Sequence, residues 1–322
     1  MDNMAPLQPI DSSVIPRFAE VATFMRTPRV DIDAGLDIAL VGIPYDMGST
    51  NRAGPRHGPA QVREMSRLIR QVNPTTHVAP FRDCRVGDVG DVPINPLDPV
   101  GAIDSITNVF SRIHKTGAAT VACGGDHTVT LPILRGIVTD GPVGCVHFDA
   151  HADTLDELLG SRINHATPFR RAVEEGIIDP KRTLQIGLRG TRYSDDDIQY
   201  GYDVGMRIVT MDDFDELGRK GTIAEILRVV GDKPTYVTFD IDGLDPVYAP
   251  GTGAPEPGGL SMRDAQVILR GITGIDAIGG DMCEVSPPLD PSGHTALSGA
   301  NLMFEILCLV GHATARRKGA RR

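Results

Sequence analysis

VGCVHFDAHAD, residues Val143–Asp153, begins as an apolar strand and ends in a run of ionisable side chains. In an extended chain alternate side chains share a side, so Asp149, His151 and Asp153 converge where this strand ends. Leaving one such charge buried and unpaired costs on the order of several kcal/mol. The next Lys or Arg along the chain is Arg162, so a multivalent cation is the expected counter-charge. His147 shares the alternating face but lies deeper, and reads as a hydrogen-bonded core histidine or one that supports a ligand.

Outward from this stretch, short runs rich in Val, Ile and Leu recur at Leu36–Pro44, Ala118–Gly124, Thr183–Leu188, Met206–Thr210, Thr235–Asp240 and Ala277–Glu284. Between the strands, Pro59–Arg70, Pro99–Lys115, Thr128–Val138, Thr167–Glu175, Ile223–Val230, Ser261–Ile272 and Thr295–Leu309 read as helices. Uninterrupted apolar strands alternating with amphipathic helices predict an α/β fold, a mostly parallel sheet with helices on both faces. No Pro- or Ser-rich linker divides the chain. We therefore expect an N-terminal extension over 1–35 and one domain over 36–322. The extension has weak periodicity and several prolines, and either packs across a neighbouring subunit or lies on the surface.

Composition narrows the function classes. With 41% apolar and 23% charged residues the chain of 322 residues is an ordinary globular protein. A net charge of −10 argues against a nucleic-acid partner, which demands a clustered excess of Lys and Arg. The basic tail, Arg316-Arg317-Lys318 with Arg321-Arg322, reads as a frayed, solvated terminus. Five scattered cysteines without a CxxC pair suit a reducing compartment and exclude a zinc knuckle. No signal-like segment opens the chain and no apolar run approaches a membrane span, so the expectation is a cytoplasmic protein with no membrane partner.

Two further stretches carry candidate ligands. Asp240 and Asp242 share one face at the end of the strand TYVTFDID, whereas Asp245, before Pro246, reads as a turn residue. Cys123-Gly124-Gly125-Asp126-His127 follows the apolar strand AATVAC. Its glycines let the backbone turn sharply and approach a site. His127 is then either a ligand or a polar residue at a helix start, with Asp126 and Thr128 as alternative caps. Ligands from separate strands meeting at their carboxyl ends suit the site position in open α/β sheets. His127, Asp149, His151, Asp153, Asp240 and Asp242 offer four carboxylates and two imidazoles, which balance two divalent ions rather than one. Thiol-free, oxygen-rich coordination favours a harder ion such as Mn²⁺, with Ni²⁺, Co²⁺ and Zn²⁺ left open.

GGDH, DAHAD and TFDIDGLDP, together with CEVSPP at Cys283–Pro288, resemble the ureohydrolase family of arginases, agmatinases and guanidino-acid hydrolases. The similarity extends through Gly42–Gly58, Ile186–Gly190 and Pro250–Gly259 and spans nearly the whole chain. The resemblance implies the three-layer αβα, arginase-like architecture and a homo-oligomer, trimer or hexamer. It implies one manganese on His127, Asp149, Asp153 and Asp240 and a second on Asp149, His151, Asp240 and Asp242, with Asp149 and Asp240 bridging and Asp149 thereby part of the catalytic set. Hydrolysis of a guanidinium to urea and an amine is the implied reaction. Glu284 resembles the family glutamate that clasps the guanidinium, a planar cation that suits a bidentate carboxylate. His165, in NHATPF, resembles the loop histidine that passes a proton to the departing amine. Ala166 departs from the commoner glycine after that histidine.

The loop Thr154–Asn164 is expected to wall the pocket at the far end of the substrate. It lacks the asparagine expected at its start for an α-amino acid head, which disfavours arginine. Asp156 or Glu157 would attract the ammonium of agmatine, and Arg162 would pair with the carboxylate of a guanidino acid. The sequence leans narrowly to agmatine, giving putrescine, with 4-guanidinobutyrate as the alternative. Two rivals are a single-zinc deacetylase-like amide hydrolase and a non-catalytic partner subunit. The doubled ligand set opposes the first, and retention of all six ligands opposes the second.

Overall fold

Strands with no polar face must be covered on both sides, and the computed structural model, which describes residues 5–194 and 196–320, does this with helices. In chain order the elements are β1 (Ile38–Gly42), α1 (Gly58–Ser66), α2 (Pro80–Asp83), β2 (Val86–Asp91), α3 (Pro99–Lys115), β3 (Ala119–Cys123), α4 (Thr130–Ile137), β4 (Val143–Phe148), α5 (Pro168–Glu174) and β5 (Ile178–Leu188). They continue with α6 (Asp196–Val204), β6 (Arg207–Thr210), α7 (Met211–Val230), β7 (Pro234–Asp240), α8 (Met262–Gly271), β8 (Asp276–Cys283) and α9 (His294–Ala320).

The strands form one sheet in the order β2-β1-β3-β8-β7-β4-β5-β6, and every pairing is parallel. The central strands split their side chains between two cores. Val146, Phe148, Val237 and Phe239 join residues of α1, α7, α8 and α9 on one face, with Phe148 stacked on Phe239 at 4.8 Å. Cys145, Tyr236 and Ala122 join α3, α4 and α5 on the other. This is the three-layer arrangement expected, and the period of two sends His147 and Asp149 to the same side as Cys145.

Consecutive strands β3 and β4 are separated in the sheet by β8 and β7. The direction in which the sheet grows reverses there, leaving a crevice at the carboxyl ends of its four central strands. Register keeps those ends level: Phe148 lies beside Phe239, Phe239 beside Met282, and Met282 beside Cys123.

Several elements differ from the sequence reading. β2 was not expected: its run VGDVGD is short and glycine-rich, and its Asp88 is buried against Arg63 at 2.8 Å. The helix expected from Ile223 begins instead at Met211, where Thr210 and Asp213 form a capping box, and bends at Gly218. Residues before 36 are not merely superficial. Phe24 is buried beneath the Arg63 guanidinium, its N–H donates to Asp88, and Val30 donates to the Asp88 carbonyl at the sheet edge.

α9 runs past the expected Leu309 to Ala320, because the basic tail is tied down rather than frayed. Arg316 donates to the Gly274 carbonyl, Arg317 pairs with Asp276 and Lys318 with Asp37; Arg321 and Arg322 lie outside the described residues. α9 is also long and apolar enough to cross a membrane by length and composition, which amends the expectation that no segment is. Most of it is buried here as the central helix of one core, and its Glu305 meets Arg270 and Asn73.

Candidate metal centre and substrate cavity

Four central strands deliver the site. Beyond β3 the chain turns through Gly125, where an added Cβ would fall 1.8 Å from the Tyr45 carbonyl oxygen, so only glycine fits. The Asp126 carboxylate then accepts from the N–H groups of Gly48 and Thr128 and caps the turn that holds His127. β4 ends one residue before Asp149, β7 in Asp240 and β8 one residue before Glu284.

Hydrogen bonding fixes a proton on one ring nitrogen of His127. The Thr238 hydroxyl donates to Asp281 Oδ1 at 2.6 Å and so accepts from His127 Nε2 at 3.0 Å. Asp281, buried in mid-strand, is held in turn by the hydroxyls of Tyr236 and Thr130. With the proton on Nε2, the lone pair of Nδ1 points the other way. There it meets Asp149 Oδ2 at 3.0 Å, Asp153 Oδ2 at 3.0 Å and Asp240 Oδ2 at 3.2 Å. It is a buried nitrogen with no hydrogen-bond partner. A bare lone pair facing three carboxylate oxygens is repulsive on every side, so the nitrogen must hold either a proton, which this surrounding favours by raising the imidazole well above its usual range, or a metal ion in the proton's place.

A second group adjoins the first through Asp149. His151 Nδ1 lies 3.4 Å from Asp149 Oδ1 and 3.2 Å from Asp242 Oδ2. Asp149 therefore divides its oxygens, Oδ2 to the His127 side and Oδ1 to the His151 side. Backbone donors hold the carboxylates in place: His151 N–H to Asp149 Oδ1, Asp242 N–H to Asp240 Oδ1 and Ala150 N–H to Asp242 Oδ1. Two sets of ligating atoms, His127 with Asp149 and Asp153, and Asp149 with His151 and Asp242, each draw together as a metal ion requires. His147 also reaches the first set.

Electrostatics agrees with the geometry. Burial and then Asp149 push the Asp153 carboxyl up to about 7. Burial, with Asp242 and Asp149, holds Asp240 well above the carboxylate range, and burial with Asp240 and Asp126 does the same for Glu284. The donors present thus fit a pair of divalent cations. Asp153 and Glu284 also adopt positive φ, 52° and 64°, a conformation that costs a non-glycine residue roughly 1–3 kcal/mol.

Above the cluster opens a cavity of about 420 Å³ whose walls include His151, Asp153, Asp240, Asp242, His165 and Glu284. Glu284 Oε1 accepts from the His127 N–H at 2.8 Å. His165 Nδ1 lies 3.7 Å from that oxygen, and its Nε2 contacts the Thr50 hydroxyl at 3.1 Å. Burial, with His151 nearby, lowers the His165 imidazole to about 4.

The loop residues expected to read the substrate lie elsewhere. Asp156 accepts from Arg171 at 2.6 Å and from Arg162 at 3.1 Å, and Arg162 reaches Glu174 as well. The 154–164 loop has folded back onto α5, and neither Asp156 nor Arg162 lines the cavity. Asp245 is a turn residue as expected, accepting from Val247, Gly258 and Gly259 N–H groups. The loop still contributes Leu155 and Leu158 to the cavity, as expected of it, and the rest of the outer wall comes from Thr50, Asn51 and Arg52 after β1, Thr191, Arg192 and Tyr193 after β5, and Glu256. Similarity blocks at Gly42–Gly58 and Pro250–Gly259 were the available signal, although no residue type within them announces a wall position. Asp281 and Gln185 had a clearer one, as polar residues inside otherwise apolar strands.

Comparison with known proteins agrees with this geometry. The model of the arginase family matches residues 36–309. A guanidinopropionase of Pseudomonas aeruginosa is 50% identical over 98% of this chain and 99% of that protein. A guanidinobutyrase of the same organism is 46% identical over 94% and 96%. Among solved structures, proclavaminate amidino hydrolase from Streptomyces clavuligerus superposes with a TM-score of 0.89 at 39% identity, covering 92% of this chain and 99% of that one. Full-length similarity of this depth, on a chain whose sheet carries a two-part metal-binding cluster at its carboxyl edge, places the protein in the arginase family, as a metal-dependent hydrolase of a guanidino compound.

Proposed function

We propose that the substrate is a guanidino acid, cleaved to urea and an amino acid. The observation that carries this choice is the cavity's outer wall. Arg52 lies on it, and among the described residues this guanidinium has no carboxylate partner. The acidic wall residues are already engaged, Asp197 accepting from the Tyr193 N–H and Glu256 facing His151. Asp156, the residue that would greet the ammonium of agmatine, is committed to arginines outside the cavity. The names of the relatives at 50% and 46% identity support the same reading. The sequence's narrow lean to agmatine therefore gives way to its alternative.

Two divalent cations, when bound, would supply an activated water and withdraw charge from the guanidinium carbon. His127, Asp149, Asp153 and Asp240 would hold one and Asp149, His151, Asp240 and Asp242 the other, with Mn²⁺ the favoured ion. Glu284, its Oε1 taken by the His127 N–H, would present Oε2 to the guanidinium N–H groups and orient the carbon. His165 is neutral at pH 7 with its imidazole near 4, so it can accept a proton and deliver it to the nitrogen whose bond to carbon breaks. Thr50 fixes the ring for that transfer.

The test is urea release from the Mn²⁺-loaded protein with guanidinopropionate, 4-guanidinobutyrate and agmatine. A cation facing the substrate's tail should favour the acids by about a hundredfold or more in kcat/KM, since opposed like charges cost several kcal/mol. Equal or better turnover of agmatine would overturn the acid reading, and no urea from any of the three would overturn the catalytic one.

A further inference from the structure

His147, open in the sequence between a core histidine and one that supports a ligand, is wholly buried beside the metal cluster. Its Nε2 lies 2.7 Å from Asp149 Oδ2, the oxygen that also faces His127 Nδ1. Its Nδ1 lies 2.9 Å from Gln185 Nε2, which is 2.7 Å from the Ala152 carbonyl oxygen. A carbonyl oxygen needs a donor, so the Gln185 amide must point its NH₂ this way; turning it over would set two oxygens against each other. The second N–H of that NH₂ then donates to His147 Nδ1. With Nδ1 accepting, the ring proton resides on Nε2 and donates to Asp149 Oδ2. Phe169 stacks on the imidazole at 3.9 Å and keeps it from swinging out.

We propose that His147 is a positioning residue whose Nε2–H, fixed by Gln185, holds Asp149 Oδ2 where it joins His127, Asp153 and Asp240 around one divalent cation. This rests on the reading of the cluster as a two-metal centre. His147 is not itself a ligand, since one ring nitrogen carries a proton and the other accepts from Gln185. Asp149 Oδ2 gains a directed N–H donor beside its contact with His127, the kind of supporting hydrogen bond that ligating groups in metal sites regularly have. Gln185 sits on β5 and His147 on β4, paired directly in the sheet, so the register of two strands sets the aim of the bridging carboxylate.

The experiment is titration of the metal-free protein with Mn²⁺, measuring affinity and ions bound per chain, alongside thermal melting of the metal-free form. His147→Leu should raise the Kd of one ion about 10–100-fold, the usual cost of losing such a supporting partner, with the other less affected. His147→Gln, which returns an amide N–H near the Nε2 position, should recover most of that loss. Gln185→Leu, which frees the tautomer, should fall between the two. Melting of the metal-free form reports any general packing defect, and if His147→Leu does not fold, the other two variants carry the test. Unchanged Mn²⁺ affinity in Gln185→Leu and His147→Leu would overturn the proposal. Failure of His147→Gln to bind better than His147→Leu would overturn it too, by pointing to a direct ligand. Should the unsubstituted protein bind no Mn²⁺, the metal-centre reading itself fails, a separate outcome visible before any variant is made.

Discussion

The floor and the outer wall of the cavity are built on opposite principles. Floor residues stand at the ends of four adjacent strands, almost all buried, with the carboxylates of Asp149, Asp240, Asp242 and Glu284 each pinned by a backbone N–H and His127 by the Thr238 hydroxyl. Wall residues stand on loops, with Tyr193 87% exposed and Arg52 lacking a carboxylate partner among the described residues. Chemistry that tolerates no misplacement is mounted on the sheet, whereas selection among guanidines is left to segments that can change without disturbing it.

If that division holds, substitutions on the floor should abolish turnover and those on the wall should redistribute it. Asp240→Asn should have the largest effect, lowering kcat by on the order of 10³-fold or more and reducing bound metal, because several kcal/mol of charge stabilisation depend on the ions. Full activity with normal metal content would break the comparison at its base. His165→Ala should reduce kcat by roughly 10²–10⁴-fold if it passes the proton, while Mn²⁺ binding stays unchanged; an unchanged rate would demote it to a structural residue. Arg52→Gln should raise KM for guanidino acids about tenfold with kcat little altered, the loss of one charge-assisted contact, and should improve turnover of agmatine, whose ammonium it no longer repels. Equal damage to both substrates would move Arg52 from the wall's account to the floor's. Asp156→Asn, outside the cavity, should change kcat/KM less than about twofold, as expected of an exposed ion pair.

A pH experiment separates the two regions without substrate. With divalent ions chelated, Asp153 takes up its proton near 7 in the folded chain but near 3.8 when unfolded. The folded state binds the proton more tightly, so this group's contribution to stability is present below about 4 and falls as pH rises towards 7. Melting temperature of Asp153→Asn should lack that part of the decline. A pH profile identical to that of the unsubstituted chain would show that the crowding of charge on the floor is not felt by the fold.

Legibility in the sequence follows the same division. Asp149, His151, Asp153, Asp240 and Asp242 stand out in the sequence because the strand period is rigid, and a carboxylate at the end of an apolar strand has few bland explanations; His127 stays open between a ligand and a helix-start residue until the family resemblance chooses. The central strands were legible for the same reason. β2 escaped because VGDVGD hides its pattern: Asp88 is an inward residue neutralised by Arg63, and that pairing depends on a contact 25 positions away. The wall was legible only in part: the 154–164 loop does line the cavity through Leu155 and Leu158, but Arg171 and Glu174 on α5 hold its charged residues Asp156 and Arg162 away from it. Charge type in a loop predicts what it could attract, but neighbours decide what it meets.

The left-handed backbone at Asp153 and Glu284 has a bearing on how this protein would respond to engineering. Glycine takes up that conformation without penalty and asparagine with little, so either replacement relaxes the chain at the very points proposed to hold ion and guanidinium. A library screened for heat tolerance alone would drift to those residues at 153 and 284, yielding sturdier proteins with nothing left to catalyse. Survival of the two acids under such a screen would mean that occupancy by metal repays the twist, and that the screen had been selecting loaded protein throughout.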